Sequence, residues 1–279
     1  MLRVLIKPTT YTIIPSQHHQ NPYIDIHHPI NKSNGHNQLE KAFHYSDVIT
    51  YTIQKPHHAL PDIVFVANGG LYLPRLPVPT ILLPRMKYKQ RQEELSYLKE
   101  IYTDLKLHMI PFPNEVFEGQ AELKWFHNGT KAVGGYGYRS TKKTFQVMKD
   151  LFAKIYGKYN ISPPEILALP IISDKFYHLD IAMLEFDDSC IVHRRAFSPE
   201  SIRLLKKFLG HDKVYVIDST DDFCINAIVD GPNLITHHMT ESLKQKIEKI
   251  TGRHIKMIDA SEFEQSGGSV RCMVLDIRT

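Results

Sequence analysis

Cysteine is scarce in this chain. There are three, Cys190, Cys224 and Cys272, too widely spaced for a disulfide framework and without a CxxC pair, which argues against a stapled secreted scaffold and a thiolate zinc site. No apolar run approaches the length of a transmembrane helix, and MLRVLIKPTT lacks the long apolar segment and cleavage site of a signal peptide. A cytoplasmic chain with reduced thiols and no membrane partner is therefore expected. An excess of one charge is also missing: 34 Lys+Arg stand against 30 Asp+Glu, so nucleic-acid binding would need a clustered basic face. The one dense cluster, Arg85 to Arg91 (RMKYKQR), is short, opens a helix-like segment and reads as a solvated face. Linkers rich in Ser, Gly or Pro are absent too, which favours one α/β domain over residues 1–279.

Short β-rich runs recur from end to end: RVLIK at 3–7, DIVFV at 62–66, TILLP at 80–84, EILALP at 165–170, KVYVI at 213–217, CINAIV at 224–229 and VRCMVLDI at 270–277. Between them, helical periodicity marks Lys89 to Leu105, Thr141 to Tyr156, Pro199 to Leu209 and Thr240 to Thr251. Ser198 before Pro199 and Thr240 before Glu241 are the expected N-caps. The stretch 15–46 is polar, rich in His, Asn and Pro, and reads as a surface segment or lid. Extended to residue 58, it holds eight of the sixteen histidines, but adjacent pairs point their rings apart and no carboxylate or cysteine recurs at ligand spacing. No metal and no cofactor are expected.

Chemistry-bearing residues cluster in a few short segments. Ser266-Gly267-Gly268-Ser269-Val270-Arg271-Cys272 sets a thiol after a turn whose paired glycines could present N–H groups to a developing negative charge, with Arg271 favouring the thiolate if it turns inward. A buried strand cysteine explains the same residues equally well. In Phe176-Tyr177-His178-Leu179-Asp180 the alternation of a strand would put His178 and Asp180 on one face, an acid/base and a cation binder or simply a surface pair. Glu118, Asn68 and Arg139 each stand beside glycines at the end of an apolar stretch, where polar residues of α/β folds tend to line sites.

Taken in order, these segments resemble the guanidino-group-modifying superfamily, the penteins, and most closely its arginine dihydrolase and dimethylarginine dimethylaminohydrolase-like branch. The matches are PDxVFxANxG at Pro61 to Gly70, FEG at Phe117 to Gly119, GYGxR at Gly135 to Arg139, FYHLD at Phe176 to Asp180, AFSPES at Ala196 to Ser201 and GGSVxC at Gly267 to Cys272. The resemblance implies an α/β fold, a five-bladed propeller of ββαβ units around a central active site. It implies Cys272 as nucleophile, His178 as acid and base, Glu118 as the carboxylate assisting it, Asp180 on the guanidinium and Arg139 on the substrate carboxylate. Asn68 stands where arginine deiminases carry an aspartate, which points to the dihydrolase branch and to ornithine, ammonia and carbon dioxide as products. Asn31, at the end of a segment similar to that branch's first strand, would contact substrate. The chain departs from the branch in reading Gln120-Ala121-Glu122 after the FEG loop, in Arg271 before the cysteine and in Lys32. The same resemblance leaves open a dimethylarginine dimethylaminohydrolase, an amidinotransferase and a silent sensor. The implied partner is a small molecule, arginine or a methylated arginine; a homo-oligomer is left open.

Overall fold

The computed structural model describes residues 1–8, 23, 35–53, 60 and 62–277. It begins with strand β1 (Leu2–Pro8), then helix α1 (Gly35–Ala42) and strand β2 (Asp47–Ile53). β3 (Leu71–Leu73) and β4 (Thr80–Leu83) lead through α2 (Lys89–Gln92) and α3 (Glu94–Asp104) to β5 (His108–Pro111). β6 (Leu123–Phe126) and β7 (Lys131–Tyr136) lead through α4 (Lys142–Gly157) to β8 (Glu165–Pro170). After α5 (Leu179–Ala182) come β9 (Met183–Phe186), β10 (Ser189–His193), α6 (Pro199–Leu209) and β11 (Val214–Ile217). β12 (Ile228–Asp230), β13 (Asn233–His237), α7 (Glu241–Thr251) and β14 (His254–Ile258) follow, then α8 (Ser261–Glu264) and β15 (Leu275–Ile277).

These strands form five three-stranded sheets of a mixed α/β fold. Each middle strand pairs antiparallel on one side and parallel on the other, the parallel partner following a helix, as a crossover requires. In the sheet that joins the two ends of the chain, β1 is the middle strand, antiparallel to β15 and parallel to β2.

Local chemistry accounts for the helices. Thr141 and Thr144 make a reciprocal capping box at the start of α4, whose buried stripe Phe145, Met148, Phe152 and Ile155 packs on Leu123, Trp125, Ala132 and Ile166 of its own sheet. Ser198 accepts from the Ser201 N–H with Pro199 in the first turn of α6, and Thr240 accepts from Leu243 at α7, as their sequences led one to expect. Gly252 closes α7 in the left-handed region, where a side chain would be strained.

Several expectations need correction. Residues 62–66 are turns running into a 3-10 turn at Val66–Gly69, residues 224–227 are irregular with the strand starting only at Ile228, and 270–273 are turns before β15. FYHLD is not a strand either: Asp174–Phe176 is a 3-10 turn, His178 is extended and Asp180 sits in α5. Part of the polar stretch 15–46 forms α1, anchored by Leu39 and by His36, whose Nε2 donates to the Ile6 carbonyl at 2.8 Å. Residues 43–46 follow it without regular structure; residues 15–34, apart from Tyr23, and Asn31 with them, lie outside the described residues, as do most histidines of the cluster. In the basic run, Arg85 is exposed but Arg91 is buried against Glu94 at 2.9 Å, so this end is not a solvated face. Among the described residues no helix is long and apolar enough to cross a membrane, and no group of three or more His, Cys, Asp or Glu could hold a metal ion.

Candidate active site

A narrow cleft opens where the turns between sheets meet, with Asn68, Arg139, Tyr177, His178, Gly268 and Cys272 among its walls. Glu118 and Asp180 lie a layer deeper, against His178 and Cys272. Five of the seven residues singled out in the sequence, Asn68, Glu118, His178, Asp180 and Cys272, are no more than 4% exposed; Arg139 is buried as well. Asn31 alone cannot be placed.

Tight turns deliver these groups. Glu118 precedes Gly119, whose φ of 62° lets the chain double back where a Cβ would stand 2.7–2.8 Å from the carbonyl oxygens of Ala67, Asn68 and Gly70. That close approach sets the Glu118 turn directly on the Asn68 turn. Cys272 follows α8 and the two glycines; its carbonyl accepts from Ala67 N–H at 3.0 Å, and Tyr177 Oη donates to Gly267 O.

Glu118 is saturated with donors. Oε2 accepts from His178 Nε2 at 2.7 Å and from Arg139 Nη1 at 3.3 Å, and Oε1 from the Lys87 N–H at 2.9 Å. Burial pushes its carboxyl up, but Arg139 and His178 outweigh burial and hold it well below the usual carboxylate range. Burial lowers His178 from its ordinary value against the pull of Glu118, which favours a neutral ring with the Nε2 proton on Glu118's side. Asn68 Nδ2 lies 3.4–3.5 Å from both ring nitrogens. The Arg139 guanidinium is stacked between Tyr88 at 4.8 Å and Tyr177 at 4.7 Å, and its Nε–H has no hydrogen-bond partner among the described residues. Glu122, the longer carboxylate noted in the sequence, accepts from the Glu118 N–H and the Ser140 N–H, both at 3.1 Å, tying the Glu118 and Arg139 turns together. Burial, then the charge of Glu118, push it up to about 8, with those two N–H groups opposing.

Asp180 is built differently. It is 1% exposed, yet no N–H or O–H donor reaches either carboxylate oxygen among the described residues. Cys272 lies against it; burial first, then the Asp180 charge, push the thiol well above its ordinary value. Asn226 offsets part of this. Its Nδ2 donates to Sγ at 3.3 Å and to the Asp180 carbonyl at 3.0 Å, while Oδ1 accepts from the Arg271 N–H at 2.8 Å. Sequence reasoning missed Asn226; the available signal was an amide in the otherwise apolar run CINAIV.

The expectation that the paired glycines present free N–H groups fails, and Arg271 makes no contact with the sulfur. The Gly267 and Gly268 N–H groups are used on the carbonyls of Glu264 and Phe263 at the end of α8, so they do not face a reacting atom. Arg271 does not turn to the sulfur but to the Val274 carbonyl, Gln120 and Asp276.

The cleft thus brings together a thiol, an imidazole paired to a carboxylate and a second carboxylate that accepts from no N–H or O–H group among the described residues. The fold is that of the guanidino-group-modifying, or pentein, superfamily, and the chain is a homologue of arginine dihydrolases and of a dimethylarginine dimethylaminohydrolase. No protein-family model matches it. It is 25% identical over 227 residues to the bifunctional arginine dihydrolase/ornithine cyclodeaminase ArgZ of Synechocystis sp., covering 80% of this chain and 30% of that protein. It is 26% identical over 267 residues to the N(G),N(G)-dimethylarginine dimethylaminohydrolase of Mycobacterium tuberculosis, covering 92% of this chain and 80% of the relative. The N-terminal domain of ArgZ, an arginine dihydrolase crystallised with substrate, matches with a TM-score of 0.80 at 23% identity over 98% of this chain and 97% of that domain. The chain spans about a third of the length of ArgZ and of its Nostoc counterpart AgrE.

Proposed function

We propose that this chain is a cysteine hydrolase acting on the guanidinium carbon of arginine, with arginine dihydrolase as its activity. The observation that carries the reading is the buried Asp180 carboxylate, without an N–H or O–H donor, beside the Cys272 thiol. A charge so placed is costly unless a cation joins it, and a guanidinium brings both a positive charge and a planar fork of N–H donors.

In this reading the substrate guanidinium lies between Asp180 and Glu118. Its positive charge cancels the repulsion that holds the Cys272 proton in place; that proton passes to His178, and the thiolate attacks the guanidinium carbon. The S–C bond forms as the carbon becomes tetrahedral. His178, kept in place by Glu118, protonates the departing nitrogen, the C–N bond breaks, and ammonia leaves behind a covalent thiouronium. His178 then takes a proton from water, which adds to the same carbon and releases the sulfur. A second hydrolytic round on the bound product gives ornithine, ammonia and carbon dioxide. Asn68 beside His178, an amide rather than a second anion, supports that outcome, and the Nε–H of Arg139 is a donor for the substrate carboxylate.

The five β-β-α-β units read as the blades of one propeller over 1–279, with β15 and β1 completing the last sheet. A cytoplasmic setting belongs to the same reading, because the thiol must stay reduced. A dimethylarginine dimethylaminohydrolase is the second reading, favoured by the relative in M. tuberculosis that matches over 80% of its length.

The test is product analysis by mass spectrometry after incubation with L-arginine, then with monomethyl- and dimethylarginine. Ornithine and ammonia without accumulating citrulline support the dihydrolase; citrulline with a methylamine replaces it by the second reading. Product formed by Cys272→Ser or His178→Ala at the native rate would overturn the mechanism.

A further inference from the structure

Next to the cleft, and sharing no lining residue with it, lies a second buried polar layer containing Lys124, Glu185, Arg271, Gln120 and Asp276. Lys124 sits in β6, within the otherwise apolar LKWF, and is 1% exposed. Its Nζ stands 3.1 Å from Glu185 Oε2. Glu185 also meets Arg271 Nε at 3.7 Å, and Asp276 is shared between Arg271 Nη2 at 3.2 Å and Arg3 Nη1 at 3.3 Å. Glu185 thus stands between Lys124 and Arg271, and Asp276 between Arg271 and Arg3. Burial and then the like charge of Arg271 pull the Lys124 ammonium below its ordinary value, with Glu185 and Asp180 opposing. α5, which carries Asp180, packs on β6, which carries Lys124, and Arg271 is the residue before Cys272, so both cations stand behind the cleft.

A purely structural origin for this layer is weak, because a buried ion pair is commonly no more stabilising than apolar residues of the same volume. The cleft, in contrast, has a use for it. Cys272 must lose its proton beside the Asp180 carboxylate, which by itself opposes that loss.

We propose that Lys124 and Arg271 are positioning residues that act through the field: a cationic backing behind the cleft that stabilises the Cys272 thiolate beside Asp180. The other groups facing this pair are Arg3, Glu185 and Asp276 within the layer. On the cleft side Cys272 and Asp180 are faced by Tyr177, His178 and Arg139, with Glu118 behind His178. None of the cleft groups reaches Lys124 by a hydrogen bond, so Lys124 can be changed without removing a contact from the cleft.

The inference rests on Cys272 as nucleophile, and its test is made without substrate. The rate of Cys272 alkylation by iodoacetamide is followed against pH in the whole protein, with the modified peptide located by mass spectrometry so that Cys190 and Cys224 are counted separately. Lys124→Met is expected to move the thiolate midpoint up by about one unit, roughly a tenfold slower reaction at any pH below it. Lys124→Arg restores the profile, and Glu185→Gln, which frees more positive charge, moves it down. Opposite shifts from two members of one ion pair cannot come from a general loosening of the fold. An unmoved profile in Lys124→Met, or shifts in the same direction for Lys124→Met and Glu185→Gln, overturns the proposal. Failure of the nucleophile reading shows separately, as product formed by Cys272→Ser.

Discussion

The two carboxylates of the cleft are equally buried and oppositely provided for. Glu118 accepts from a guanidinium, an imidazole and a backbone N–H; Asp180, some sixty residues further on, accepts from no N–H or O–H group among the described residues. One is part of the scaffold before any ligand arrives, held ionised by fixed neighbours. The other is an unmet electrostatic demand placed beside a thiol. The difference teaches where the ligand's positive charge goes, and why the thiol stays protonated until it is there.

That contrast can be broken most sharply by neutralising each carboxylate in turn. Asp180→Asn is expected to lower kcat/KM on arginine by about 10³-fold, roughly 4 kcal/mol, while its urea midpoint rises, because a buried carboxylate that accepts from no N–H or O–H group among the described residues has been removed. Glu118→Gln should lose activity as well, but with a loss of stability of about 3–5 kcal/mol, because it leaves Arg139 buried without its counter-charge. If both variants shift the urea midpoint in the same direction, the two sides of the cleft are not different in kind.

Acid sharpens the same comparison. The folded-state value of Glu118 lies below that of the unfolded chain, so its stabilisation is present at neutral pH and is lost as pH falls below about 4.3 toward the folded value. Unfolding free energy measured by urea from pH 6 to 3, a range of about three units, should therefore drop more steeply in the native protein than in Glu118→Gln. Parallel slopes would assign the acid sensitivity to other groups.

Smaller effects come from Asn226, which spans both the thiol and the Asp180 backbone. Asn226→Ala should cost about 1–3 kcal/mol of stability, since it leaves the Arg271 N–H and the Asp180 carbonyl unpaired. It should also raise the thiol midpoint seen by alkylation. Smallest of all, Thr141→Ala at the α4 cap should cost about 1 kcal/mol of stability, read as a lowered urea midpoint.

What the sequence made legible divides along the same line between scaffold and cleft. The helices were readable because periodicity and caps are local: Ser198-Pro199 and Thr240 announce α6 and α7 within a few residues. Strands β4, β8 and β11 were readable as apolar runs of the right length. The runs at 62–66, 224–229 and 270–277 are just as apolar, and largely the wrong shape was assigned to them. There, burial comes from turns folding over one another around the cleft, so hydrophobicity loses its usual relation to a repeating backbone. Glu118, His178, Asp180 and Cys272 were found only because whole segments occur in a known order; no local spacing links Glu118 to His178, which meet at 2.7 Å. Asn226 carries no such segment around it and went unnoticed.

The pairing of β15 on β1 has a bearing on how the protein comes into being. The turn with Cys272 runs into β15, whose partner β1 lies far earlier in the chain, so that sheet can be completed only after the residues between the two strands have been made. Until then the thiol lacks both its flanking strand pairing and the Ala67 N–H that holds its carbonyl. A chain stopped before Cys272 carries Glu118, His178 and Asp180 but lacks the thiol proposed as nucleophile.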